Sequence, residues 1–268
     1  MTANSQTFVS ARAPKWWRWL IGFGTAWGLL LTFVASFIEP TPENLTLTAA
    51  IWFSGFYTIV LGLTRRWWLP RLTKHPLRNA VLLGAFNAAV IETIFLIFEY
   101  IFGAEGVAAH PNLIVDLIMT MPWYIMMCFT FVKVQNRWRF PTATVLFLGG
   151  IYEIGADGIV GQFMGILSGD NTLFTIEYWL MMAFMYLWAF IAVYSSMLLP
   201  SAWLIAKIPP RSKPSGSGFW SALKPLLWIF PFTIYLFILF FIIMVLSKNN
   251  CFQTGEHPHY IQFHLRIQ

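Results

Sequence analysis

Six carboxylates lie within stretches that are otherwise apolar enough to cross a membrane: Glu92, Glu99, Asp116, Glu153, Asp157 and Glu177, with no lysine or arginine among them. A carboxylate in hydrocarbon costs several kcal/mol unless it is neutral, hydrated or partnered, so such residues face a bundle interior. Crowded carboxyls in low dielectric do not all ionise, which places a protonated acid beside an ionised base. That pairing is what acid–base chemistry requires.

Counting about 1.5 Å per residue brings the six together. Glu92 falls near mid-membrane in one span, and Glu99 lies on the same face about two turns, roughly 10 Å, further out. Asp116 is in the outer half of the next span. Glu153 lies near the middle of the following one with Asp157 a turn above it, and Glu177 opens the span after that. Bland readings stand beside this one. Glu99 and Glu177 are close enough to the surface to be simply hydrated. Glu153 and Asp157 flank Gly149, Gly150, Gly155 and Gly158, where a helix-packing network would suffice. Glu92 and Asp116 are the hardest to dismiss.

The same helices carry aromatic residues, including Trp123, Tyr124, Tyr152, Tyr186 and Trp188. Their π faces stabilise a cation by about a kcal/mol or more each when desolvated. A metal or haem reading has little support: His75, His110, His257, His259 and His264 all fall in loops or the tail, and no HExxH or CxxC spacing occurs. The last span has no lysine for a retinal Schiff base. No cofactor is implied.

The elements that must hold these groups are helices. Of the 268 residues 58% are hydrophobic and 10% charged, with a mean hydropathy of +0.65, in the range of polytopic membrane proteins. Apolar runs long enough to span recur near 18–38, 46–63, 79–103, 112–132, 141–167, 173–199 and 225–246. Fifteen of the seventeen lysines and arginines then fall on one side, so a seven-helix, all-α integral membrane bundle with a cytoplasmic N-terminus obeys the positive-inside rule at every connection. The division is a cytoplasmic segment 1–17, a bundle 18–246 and an exofacial or lumenal tail 247–268. The first span is too long for a signal peptide's apolar core and reads as retained. Trp67, Trp68 and Leu72 among five bases suit a segment at headgroup level. Pro209, Pro210, Pro214 and Gly216 mark a connector before the last span. The net charge of +6 is accounted for by topology and calls for no nucleic acid. Cys128 and Cys251 are assigned to the membrane and the outer side, so no disulfide is implied.

Four segments resemble the EXPERA family, which includes the sterol double-bond isomerase known as emopamil-binding protein. AAVIETIFLIFEY (Ala88–Tyr100) is similar to the family's I-E-G-x-F element. VDLIMTMPWYIMM resembles its V-E-T-I-T-x-x-x-W segment, RFPTATVLFLGGIYE its R-F run ending G-x-I-Y, and EYWLMMAFMYLWAF its Y-F-W-x-x-F-x-F-M-N-x-L-W. The resemblance covers about 45–200 and implies a five-helix core with Glu92 and Asp116 on the family's catalytic glutamates and Trp123 near its tryptophan. The family's histidine would fall on Ala88, with Asn87 beside it, and its asparagine on Tyr186. These departures point to a related carbocation reaction more than to the sterol isomerisation itself.

The expectation is therefore an isomerase or cyclase of a sterol or terpenoid alkene. Glu92 and Asp116, with Glu153 and Asp157, would move protons, while Trp123, Tyr152, Tyr186, Asn87, Glu99 and Glu177 would line the substrate site. In a eukaryote the endoplasmic reticulum membrane is the expected address. A lipid-binding protein without catalysis and a proton- or cation-coupled transporter are the alternatives. Membrane lipids and a hydrophobic substrate are the expected partners.

Overall fold

The computed structural model describes residues 13–160, 175–209 and 218–250. Among these every regular element is a helix. They run α1 (Lys15–Ile38), α2 (Pro42–Trp68), a 3₁₀ turn (Leu69–Leu72), α3 (Pro76–Phe102), α4 (Leu113–Trp138) and α5 (Thr142–Glu153), which continues as a π-helical stretch (Ile154–Val160). Next come α6 (Ile176–Met181), a second π stretch (Met182–Tyr186), α7 (Leu187–Ile205), α8 (Gly218–Ala222), a 3₁₀ turn (Lys224–Trp228) and α9 (Ile229–Asn250).

Six helical segments are long and apolar enough to cross a membrane, which makes the chain a multi-pass integral membrane protein. The seventh expected span, 141–167, is described only in part. Its helix Thr142–Ala156 is apolar but shorter than a crossing, and 161–174 lie outside the described residues. The tail 251–268 and most of segment 1–17 do as well.

Local chemistry sets the helix ends. Thr41 caps α2 by accepting from the Asn44 amide (3.2 Å), with Pro42 in the first turn where its missing N–H costs nothing. Asn112 caps α4 through the Ile114 and Val115 amides. Gly103, at φ 69°, ends α3 in the left-handed conformation that glycine adopts without strain.

Helix α7 is the axle of the bundle. Its span is 72% buried, against 17–39% for the other five, and it packs on α1, α2, α3, α4 and α5. The sequence explains this: Leu187–Ile205 is apolar on all sides, and a helix without a polar face is stable only when surrounded. Its serines are satisfied locally or on neighbours, Ser201 donating to the Ala80 carbonyl at 2.7 Å. Close approach depends on small residues. A Cβ added at Gly28 would lie 2.3 Å from the Ala189 amide nitrogen, and one at Gly150 would lie 2.2 Å from the Leu187 carbonyl oxygen. Outward positions such as Phe23, Phe37, Phe56 and Leu63 are exposed and apolar, as a lipid-facing surface demands.

Charge divides the bundle into two ends. Glu39, Glu43 and Glu105 are at the end bearing the Gly103–Asn112 loop. Arg139 marks the opposite end, where it donates to the carbonyls of Ile205 and, at 3.1 Å, Ile208, closing off the last turn of α7.

Candidate functional site

A cavity of about 340 Å³ lies toward the acidic end, and two of the expected carboxylates are in its wall: Glu92 from α3 and Glu153 from the end of α5. Both are nearly sealed from solvent, at 8% and 4% exposure. Ile91 and Phe95 of α3 with Phe190 and Val193 of α7 make the wall mostly apolar. Glu43 and Asn44, in the first turn of α2, form its outer edge, and since Glu43 is exposed this edge is the mouth. Val107 of the α3–α4 loop closes the roof.

Both π-helical stretches border this space, the first through Gly158 and the second through Met182 and Tyr186, and the two touch each other. A π turn widens the helix by one residue and turns its side chains off the regular register, a device common at functional sites. Here it carries Tyr186 to the wall.

Glu92 is fixed from α4. The Tyr124 hydroxyl donates to its Oε1 at 2.5 Å. Asp116, two turns earlier on the same face of α4, brings its carboxyl against Glu92 and within electrostatic reach of Glu99. Three carboxyls thus converge where α3 meets α4.

Asp116 and Glu99 stand behind the cavity wall and hold the roof. Asp116 Oδ1 accepts from the His110 amide (3.2 Å), and Glu99 Oε1 from the Val107 amide (3.0 Å). Glu99 Oε2 is buried without a hydrogen-bond partner among the described residues.

Three other expected site residues point elsewhere. Trp123 is buried with its ring tilted on Phe232 of α9, the centroids 6.0 Å apart. Tyr152, fully buried, donates to the Ala222 carbonyl at 2.7 Å and ties α5 to α8. Asn87 accepts from the Tyr57 hydroxyl at 2.8 Å, more than one turn beyond Glu92 toward the basic end. The side chains of Asp157 and Glu177 lie outside the described ones. No group of three or more His, Cys, Asp or Glu among the described residues is placed to hold a metal ion.

Two contributors were not anticipated as site residues. Tyr124 stood among the aromatics, and its i+8 spacing from Asp116 was the available signal for a shared face. Glu43 belongs to the first turn of α2, at the end of the bundle that bears the Gly103–Asn112 loop, and its carboxyl just after Pro42 was the available signal.

Toward the basic end below the cavity, α3, α4 and α7 are in close contact. Cys128 sits against Gly84, where a Cβ would lie 2.7 Å from its sulfur, and Ser201 bonds α3.

No protein-family model matches this chain, and no curated protein and no solved structure matches it either.

Proposed function

We propose that the protein is a membrane-embedded isomerase or cyclase of a neutral sterol- or terpenoid-type alkene, working without a cofactor. The observation that carries this reading is that Glu92 and Glu153, on different helices, face one mostly apolar cavity. A protonated carboxyl of the pair gives its proton to one alkene carbon, the π electrons forming the new C–H bond and leaving a cation on the adjacent carbon. The other, ionised, carboxyl removes a proton from a neighbouring carbon, and that C–H pair becomes the new double bond. For a cyclase, a second alkene of the substrate attacks the cation before proton loss. Atoms and electrons balance in both cases. The two carboxyls exchange protonation states, and proton movement through Asp116 or water at the mouth resets them.

Phe95, Tyr186 and Phe190 offer π faces to the cation. Tyr124 keeps the Glu92 carboxyl aimed, which matters because positioning supplies much of the rate in proton transfer. In this reading 141–167 complete a seventh crossing, the N-terminus is cytoplasmic, the core is EXPERA-like over about 45–200, and a eukaryotic host would keep the protein in the endoplasmic reticulum membrane. The close contact of Gly84 with Cys128 below the cavity is why transport is not adopted.

The test is product analysis with the full chain in lipid vesicles supplied with neutral lipids from the host membrane. Glu92→Gln and Glu153→Gln should each lower formation of the rearranged alkene about 10²- to 10⁴-fold. An unchanged lipid bond pattern with the wild-type chain would leave binding without catalysis.

A further inference from the structure

We propose that the mouth of the cavity is a headgroup subsite for a lipid alcohol, formed by Glu43 and Asn44. The inference rests on the cavity being the substrate site and adds the chemical class of what enters it. The hydrogen-bonding capacity of the mouth is uncharged on the donor side and charged on the acceptor side. One N–H of the Asn44 side chain is committed to the Glu39 carbonyl (2.9 Å) and its backbone N–H to Thr41 Oγ1 (3.2 Å), so Asn44 offers a ligand its Oδ1 acceptor and its second side-chain N–H. Glu43 beside it offers a carboxylate, again an acceptor. Glu92 and Glu153 lie deeper, and no lysine, arginine or histidine is among the described residues of the wall.

A ligand phosphate or sulfate at the mouth would meet the Glu43 carboxylate and the Asn44 amide oxygen with no cation among the described wall residues to offset them, and like-charge juxtaposition disfavours such partners. A hydroxyl can donate to the Glu43 carboxylate and accept from the second Asn44 N–H, and a hydrocarbon tail matches Ile91, Phe95, Phe190 and Val193 further in. The alcohol therefore binds head outward, with its chain directed at the Glu92–Glu153 pair. Diphosphate-activated prenyl donors are disfavoured by the same charge, so the substrate arrives already dephosphorylated or oxygenated.

Binding rather than turnover tests this. The full chain in neutral-lipid nanodiscs is equilibrated with farnesol, farnesene or farnesyl phosphate, three probes with one carbon skeleton and a donor, a bare or an anionic end. Farnesol should be retained about tenfold more tightly than farnesene, the worth of one hydrogen bond to a charged acceptor, with farnesyl phosphate no tighter than farnesene. Glu43→Gln should reduce that preference, and Glu43→Gln with Asn44→Leu should abolish it, while Glu105→Gln, an exposed acid on the neighbouring loop, leaves it intact. Tightest retention of the phosphate, equal or absent retention of all three, or a preference that survives the double substitution overturns the subsite. A silent Glu92→Gln in the turnover assay would leave this binding order standing, and loss of the binding order would leave the proton chemistry standing.

Discussion

The Tyr124 phenol and the Glu92 carboxylate meet at 2.5 Å, joining α4 to α3 at the wall of the cavity. The same face of α4 carries Asp116 against Glu92 from the acidic side. One helix therefore supplies both groups that fix the orientation of the proposed proton carrier, and the Tyr124 hydroxyl is the one that can be removed at least cost in packing.

Tyr124→Phe keeps the ring beside Tyr194, 6.2 Å between centroids, and deletes the donor to Glu92. Leaving a buried acceptor without its donor costs about 1–3 kcal/mol, so turnover should fall roughly 10- to 100-fold while the protein still elutes as a folded monodisperse species. Turnover within twofold of wild type would show that the bond does not orient Glu92 for chemistry.

The roof over the cavity should depend on Glu99 and Asp116. With Glu99→Gln or Asp116→Asn, the Val107 and His110 amides lose charge-assisted acceptors, and their hydrogen exchange should quicken about tenfold or more. Exchange confined to wild-type rates would mean that the loop is held by other contacts.

These roles show where the sequence was informative and where it was not. Intramembrane charge is so costly that Glu92 and Glu153 announced an interior site, and helical rise alone put them at compatible depths. The apolar runs likewise marked α1 to α4, α7 and α9, because lipid imposes one length scale on them all. Facing is another matter. Trp123 and Glu92's partner Tyr124 are adjacent in sequence, yet one packs on α9 and the other reaches the cavity wall, since 100° of helical rotation separates them and only tertiary packing assigns each direction. The use of Glu99 and Asp116 as acceptors for loop amides depends on the path of Gly103–Asn112, which no periodicity encodes. Tyr186 owes its position to a π stretch, a departure from 3.6-residue register with no composition signal of its own.

Helix α9 is joined to the bundle at a defect in α4. Pro122 has no N–H, so the Ile118 carbonyl one turn earlier lacks its helical donor, and the Tyr235 hydroxyl supplies one at 2.6 Å. Tyr235→Phe should lower the thermal unfolding temperature in detergent by an amount corresponding to about 1 kcal/mol, without a change in turnover. An unchanged midpoint would mean that water or lipid satisfies Ile118 equally well.

Assembly around α7 requires the close contacts at its small neighbours. Gly150→Val would drive a side chain into the Leu187 carbonyl, backbone that cannot yield cheaply, and this should cost about 1–3 kcal/mol or more and reduce the folded fraction recovered from membranes. Gly22→Val, on an open face of α1 with nothing within 4 Å, is the matched control and should be recovered as wild type. Equal recovery of the two variants would contradict the tight α5–α7 interface.

The most direct test of the proton-transfer account follows solvent hydrogen into the lipid. Wild-type protein in vesicles of neutral host lipids, incubated in D₂O, should place deuterium on carbon in an alkene lipid, read by mass spectrometry, and Glu92→Gln and Glu153→Gln should each suppress that incorporation by about 10²-fold or more. Incorporation at near-wild-type rates in both variants, or none with the wild-type chain, would contradict it.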